Sequence, residues 1–184
     1  KHLYLCALGK NGSRMASNTV SLDVKQLTSG EWEVMEVLGF NAKRHEIVIA
    51  SNEANPIQRN IFAVSVDNGK RRLVDDNGKG WHNSVLSEDG TSLYDNYSTP
   101  DIPRNIAIVD IASGKKTSYF KAENPWKGYD VPEYSCGTLK ADDGKTDLYY
   151  RMVKPTNFDP NKKYPTIIYV YGGPHAHNVD ARWN

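Results

Sequence analysis

Tyr171-Gly172-Gly173-Pro174 is where residue type and spacing in this 184-residue chain point most clearly to chemistry. A phenol at the end of an apolar run can aim its hydroxyl at a developing oxyanion. Removing a preorganised donor of this kind typically costs an acyl transfer about 3–4 kcal/mol. Gly172 and Gly173 carry no Cβ, so backbone or substrate can approach closely there. A core tyrosine ahead of a purely structural turn would show the same residues, and the pattern leaves both readings open. The element that must deliver the tyrosine is the run Thr166-Ile167-Ile168-Tyr169-Val170-Tyr171. Its β-branched and aromatic content, ended by Gly-Gly-Pro, predicts a buried strand entering a tight turn. Any nucleophile served by this turn is expected beyond Asn184, nine residues after His175.

Other reactive residue types are less telling. No Gly-x-Ser-x-Gly elbow occurs, and Ser87 and Ser98 read as ordinary polar residues in turns. The histidines are His2, His45, His82, His175 and His177. His175-x-His177 has ligand-like spacing but no third ligand nearby, so the pair is expected to flank a solvent-facing loop and no metal is expected. Asp75-Asp76 and Asp142-Asp143 sit in glycine-bearing turns. Adjacency in a turn does not hold two carboxylates across a cleft, as paired-carboxylate chemistry requires. Cys6 and Cys136 lack metal-type spacing and are expected as buried free thiols in strands.

Composition narrows the classes further. Hydrophobic residues make up 39% and charged residues 24%, as in a globular chain. The 23 basic and 22 acidic residues leave a net charge of +1, which gives nucleic-acid binding no support. Lys70-Arg71-Arg72 follows Asp67-Asn68-Gly69 and reads as the charged flank of a hairpin. No apolar run approaches the roughly 20 residues of a membrane helix. The chain begins with Lys1 rather than Met, so it is expected to be a piece of a longer protein, and the missing leader says nothing about export.

The middle of the chain repeats. Arg59-Asn60-Ile61-Phe62-Ala63-Val64-Ser65-Val66-Asp67-Asn68-Gly69-Lys70 resembles Arg104-Asn105-Ile106-Ala107-Ile108-Val109-Asp110-Ile111-Ala112-Ser113-Gly114-Lys115, an offset of 45 residues from 59 to 104. Short apolar strands precede both copies, at Ile47-Val48-Ile49 and Leu93-Tyr94, and Gln26-Leu27-Thr28 recurs as Arg72-Leu73-Val74. Self-similarity at 40–50 residues, built from strands and turns, predicts propeller blades, each a four-stranded meander. Asp67-Asn68-Gly69, Asp89-Gly90 and Ser113-Gly114 supply the hairpin turns. Residues 1–19 fit the period poorly and read as the tail of another blade, with an extended loop at Gly9-Lys10-Asn11-Gly12-Ser13.

After Phe120 the texture changes. Residues 121–132 read as a linker, followed by a hairpin of Glu133–Leu139 and Thr146–Val153 around Asp143-Gly144, and then by the closing apolar run. Almost no helical periodicity is present. The expected fold is mainly β. It divides into a partial propeller of two to three blades over 1–120, a linker over 121–132, and the first strands of an α/β-hydrolase domain over 133–184.

Several stretches, in order along nearly the whole chain, carry a family resemblance. Gln26 to Val34, Ser51 to Phe62, Tyr97-Ser98-Thr99-Pro100-Asp101, and Lys163-Tyr164-Pro165 through Tyr171-Gly172-Gly173-Pro174-His175 resemble the dipeptidyl peptidase IV branch of the prolyl oligopeptidase family of serine peptidases. The Lys10–Val20 region departs from that family's short hairpin and leaves the first blade's boundaries open. The resemblance implies a propeller joined to a hydrolase domain. It implies an exopeptidase releasing dipeptides with proline or alanine second, through an acyl-enzyme. Tyr171 would be the oxyanion-hole hydroxyl donor. Tyrosine there favours the dipeptidyl branch over acylaminoacyl peptidases, which carry histidine. The serine, aspartate and histidine of the triad, and the glutamates that hold the substrate amino terminus, match nothing in this sequence, so the chain alone is expected to be inactive. The resemblance further implies no cofactor, peptide N-termini as partners, a homodimeric parent and an extracytoplasmic location. A non-catalytic propeller binding module and an endopeptidase of the same family are the alternatives. Open strand edges predict self-association of the isolated chain.

Overall fold

The computed structural model describes residues 1–7, 23–74, 79–173 and 177–183. Twelve strands occur among them: β1 (Tyr4–Ala7), β2 (Asp23–Gln26), β3 (Val34–Asn41), β4 (Glu46–Ser51), β5 (Asn60–Ser65), β6 (Arg71–Leu73), β7 (Trp81–Leu86), β8 (Ser92–Thr99), β9 (Ile102–Asp110), β10 (Lys116–Lys121), β11 (Glu133–Lys140) and β12 (Asp147–Lys154). No helix occurs among the described residues. β3 to β6 form one four-stranded antiparallel meander and β7 to β10 a second; β1 pairs with β2, and β11 with β12.

The sequence repeat is a repeat of hydrogen bonds. Ser65 N–H donates to Lys70 O, and Asp110 N–H to Lys115 O, each at 2.9 Å. Gly69 N–H donates to Ser65 O, and Gly114 N–H to Asp110 O, each at 2.8 Å. The turn glycines 69 and 114 both have φ of 71°, a left-handed conformation that a side chain strains. Each tip abuts the preceding sheet: a Cβ on Gly69 would stand 2.8 Å from Leu27 O, and one on Gly114 3.3 Å from Val74 O. Both meanders are thus closed and docked by the same residues.

Strand alternation explains the packing. Successive side chains point to opposite faces, so a strand apolar at every position can bury both. Val48 and Ala50 of β4, with Ile61 and Ala63 of β5, pack with Leu93 and Val109 of the next sheet and with Ile111 just after β9. Ile49 and Val64 pack the other way, with Leu3, Leu27 and Val34. The β3–β6 sheet is therefore a blade buried on both faces. The β7–β10 sheet buries one face and leaves Val85, Tyr94 and Ile108 of the other 64%, 38% and 41% exposed.

Residues 122–132 contain no strand, and β11 and β12 then pair in continuous register from Glu133↔Lys154 to Lys140↔Asp147. Several expectations need correction. Residues 164–173 form no strand; Ile167, Ile168, Tyr169 and Val170 are 97%, 81%, 79% and 78% exposed. A run apolar on both faces becomes a strand only between neighbours that satisfy its N–H and C=O groups, and no described strand lies beside it. Cys6 lies in β1 but is exposed, and Cys136 in β11 is half-buried; both are free thiols. Ser98 lies within β8 rather than in a turn. The loop around residues 9–13, the Lys10–Val20 departure and Asp75-Asp76 lie outside the described residues.

Candidate functional site

Tyr171 is 60% exposed and follows the unpaired apolar run. Its ring folds back over the turn. A Cβ added at Gly173 would stand 2.6 Å from Tyr171 Cε1 and 2.8 Å from its Oη, whereas one at Gly172 would meet nothing within 4 Å. Gly173 is thus the residue that lets the phenol lie against the turn, and Gly172 leaves open space beside it. Pro174 and His175 lie outside the described residues. Among the described residues no three His, Cys, Asp or Glu side chains gather as a metal would need.

His177 is exposed and lies outside the strands, as expected of a residue flanking a solvent-facing loop, and it also reaches the blades. Its Nε2 lies 3.3 Å from Glu33 Oε1, and the residues after it return to the blades. Ala181 N–H donates to Ile57 O at 2.7 Å. Asp180 beside it is buried. Burial pushes its carboxyl above the usual range, against the pull of Arg182, His177 and Arg151. Its Oδ2 is 3.0 Å from Arg182, while Oδ1 is buried with no hydrogen-bond partner among the described residues.

His82, to which the sequence pattern gives no role, sits in a buried polar cluster. His82 Nδ1 lies 3.0 Å from both carboxylate oxygens of Asp95, and Ser84 Oγ donates to Asp95 Oδ1 at 2.9 Å. The His82 ring stacks on Tyr97 at 5.1 Å. Serine, histidine and aspartate meet here, but not as a nucleophile set. The serine hydroxyl has one proton and gives it to the carboxylate, whereas a catalytic serine gives it to the histidine. The three residues are 7%, 1% and 0% exposed, so no substrate reaches them. The cluster ties β7 to β8 inside the blade. The signal was available in the alternation: His82 and Ser84 share one face of β7, and Asp95 pairs opposite Ser84.

Glu46, Asp89 and Asp143 are held by local partners. Burial raises the Glu46 carboxyl, but hydrogen bonds and charge from Arg72 and Arg44 outweigh it and leave the group below its ordinary value. Asp89 is held down to about 2, chiefly by the Ser87 hydroxyl and then by Thr91 in the β7–β8 turn. Asp143 is lowered likewise by Thr146 and Lys145 in the β11–β12 turn, where Asp142 also lies. Of the basic cluster, Arg71 reaches Glu53 at 2.7 Å and Arg72 reaches Glu46 at 2.7 Å, which leaves no concentrated basic face at that hairpin.

Residues 1–104, more than half of the chain, match the family described as the dipeptidyl peptidase IV (DPP IV) N-terminal region. The chain belongs to the dipeptidyl peptidase IV family. The β3–β6 and β7–β10 meanders are blades of the propeller region of that family. A curated relative, "Dipeptidyl peptidase 4" of Trichophyton equinum, is 32% identical over 164 residues, covering 86% of this chain and 21% of its own length. A crystal structure assigned as a dipeptidyl aminopeptidase IV from Bacteroides ovatus is 49% identical with a TM-score of 0.78, covering 88% of this chain and 23% of that one. The Porphyromonas gingivalis dipeptidyl peptidase 4 structure gives the same TM-score of 0.78 at 23% identity, over 87% of this chain and 23% of that one, and supports the fold alone. The chain spans about a fifth of the length of the curated relatives it matches.

Proposed function

We infer that the chain is part of a serine exopeptidase that releases dipeptides with proline or alanine second from peptide N-termini. Residues 1–120 supply propeller blades, 121–132 the linker, and 133–184 the opening strands of an α/β-hydrolase domain. Tyr171 donates its hydroxyl to the oxyanion of the tetrahedral intermediate. One observation carries this reading: blades of the dipeptidyl peptidase IV family precede a tyrosine whose phenol is exposed over a double-glycine turn. The exposed run 165–170 supports it too, since strands of a mostly parallel sheet are apolar on both faces and acquire order from neighbours. The serine that attacks, its base and its orienting carboxylate are supplied by the remainder of the peptidase, as are the groups that hold the substrate amino terminus. The parent acts as an extracytoplasmic homodimer on peptide N-termini.

The test is release of chromophore from a Gly-Pro anilide and from a Gly-Phe anilide. The longer peptidase should cleave the first and spare the second, and this chain alone should cleave neither. Turnover by this chain alone would overturn the division of roles.

The isolated chain should also self-associate. Leu5, Val37, Gly39, Phe40, Ile47 and Val66 line an apolar groove of about 400 Å³, and Val85, Tyr94 and Ile108 leave the far blade face open. Exposed apolar surface beside strand edges invites pairing with a second copy. Sedimentation should show dimers or larger species whose share rises with concentration; a monomer at every concentration would contradict this.

A further inference from the structure

The two blades share more than a buried core. Arg59, just before β5, bridges to Trp81 at the start of β7. Arg59 N–H donates to Gly80 O at 3.1 Å, and His82 N–H donates to Arg59 O at 3.0 Å. The Arg59 side chain adds a third bond, from Nε to His82 O at 2.9 Å, and pairs with Glu36 of β3. The backbone and side chain of one residue thus fasten the first blade to the second.

Residues 177–183 lie across the same junction. Ala181 N–H donates at 2.7 Å to the carbonyl of Ile57, which stands two residues before Arg59. The Arg182 guanidinium lies 5.5 Å from the centre of the Trp81 ring, and Trp81 is the residue bridged to Arg59. Trp183 N–H donates to Ser98 Oγ at 3.4 Å, and Ser98 is the β8 partner of Trp81. His177 Nε2 is 3.3 Å from Glu33 Oε1, just before β3. Ile57 and Glu33 belong to the first blade, Trp81 and Ser98 to the second. Asp180 and Ala181 are only 5% and 6% exposed, so the crossing is packed against the blades.

We propose that residues 177–183 are a strap that locks the junction between the two blades, so that Arg59 and Trp81 part only after the strap has lifted. The Ala181 and Trp183 amides are two residues apart, which is at most about 7 Å of extended chain. One bonds the first blade and the other the second. The blades therefore cannot draw apart while both bonds hold. Trp81 serves both fastenings, its backbone in the bridge and its ring under Arg182, and contacts that share a residue couple. The strap works whatever Tyr171 does, because all its contacts lie between residues 177–183 and the blades.

The test is native-state hydrogen exchange on the full-length peptidase carrying this chain, read at the amides of Ala181, Arg59, His82 and Ile49. Protection at Arg59 and His82 should match or exceed that at Ala181 and stay below that at Ile49 in the blade centre. Arg182→Ala should cut protection at Ala181, Arg59 and His82 together, by about tenfold. Arg59→Met loosens the bridge but leaves the strap, so His82 should still exchange no faster than Ala181. Arg59 or His82 exchanging faster than Ala181 in any of these proteins would overturn the strap. So would a loss confined to Ala181 in Arg182→Ala. Protection at Arg59 and His82 equal to that at Ile49 would overturn it too, since the blades would then part only by unfolding. If Arg182→Ala does not fold, His177→Ala frees the strap from the first blade under the same readouts and criteria. Exchange needs no turnover, so the outcome is separate from whether the parent cleaves a Gly-Pro anilide.

Discussion

Ile47-Val48-Ile49-Ala50 and Ile167-Ile168-Tyr169-Val170 are the same kind of sequence with opposite fates. Val48, Ile49 and Ala50 are each 0% exposed in the centre of a blade, whereas the second run is 78–97% exposed and makes no ladder. Intrinsic β-preference cannot account for the difference, since both runs are β-branched and apolar. What differs is company. β4 has β3 on one side and β5 on the other, and a blade or strand pair against each face. Strand preference is a preference for a pleated, half-buried surface, and it is realised only when such a surface is present.

The comparison can be broken most severely at Asp95. Replacing it with alanine leaves His82 and Ser84 buried without their acceptor, and should cost about 3–5 kcal/mol in a melting or denaturant experiment. A loss under about 1 kcal/mol would mean that the cluster is not what ties β7 to β8. Next in size, Ile49→Ala should cost about 2–4 kcal/mol, as for other fully buried large-to-small changes. Ile168→Ala should stay within about 0.5 kcal/mol. Equal costs at the two positions would show that residues 164–170 pack somewhere in the isolated chain.

Turn glycines sharpen the same contrast. Gly90 has φ of 70°, and a Cβ there would stand 2.4 Å from Phe40 O; Gly144 has φ of 67° with nothing within 4 Å. Both substitutions to alanine carry about 1–2 kcal/mol of left-handed strain, and only Gly90→Ala adds a backbone clash. Gly90→Ala should therefore be clearly the worse of the two by melting temperature. The smallest effect is on pH. The Glu46 carboxyl is lower in the fold than unfolded, so its stabilising contribution is complete above its ordinary value of 4.5 and is lost as pH falls through the lowered value. Arg72→Met should flatten that acid limb of the stability curve, and an unchanged limb would assign it to other carboxylates.

Much of the blade architecture was legible because its determinants are local. Asp67-Asn68-Gly69 and Ser113-Gly114 announce turns that recur 45 residues apart, and the strands between them alternate. The β11–β12 hairpin was legible from Asp143-Gly144 for the same reason. That no described strand pairs with residues 164–170 was not legible, because a run can show its preference but not its neighbours. The buried His82–Asp95–Ser84 cluster needed the β7–β8 register, which brings residues 11 and 13 positions apart together. The return of residues 177–183 to the blades left no periodic trace, since its contacts use single side chains and backbone groups. For the candidate site, Tyr171 and its glycines were visible in the sequence, and Gly173's place under the phenol was visible only in the structure.

The region without a ladder is also the region expected to carry chemistry, so stability and activity should separate at Tyr171. The deciding measurement is kcat for Gly-Pro anilide hydrolysis by the Tyr171→Phe variant of the full-length peptidase, with its melting temperature. Loss of one oxyanion donor should lower kcat about 10²–10³-fold, with melting unchanged. An unchanged kcat would contradict the assignment and make Tyr171 a residue of the turn rather than of the site.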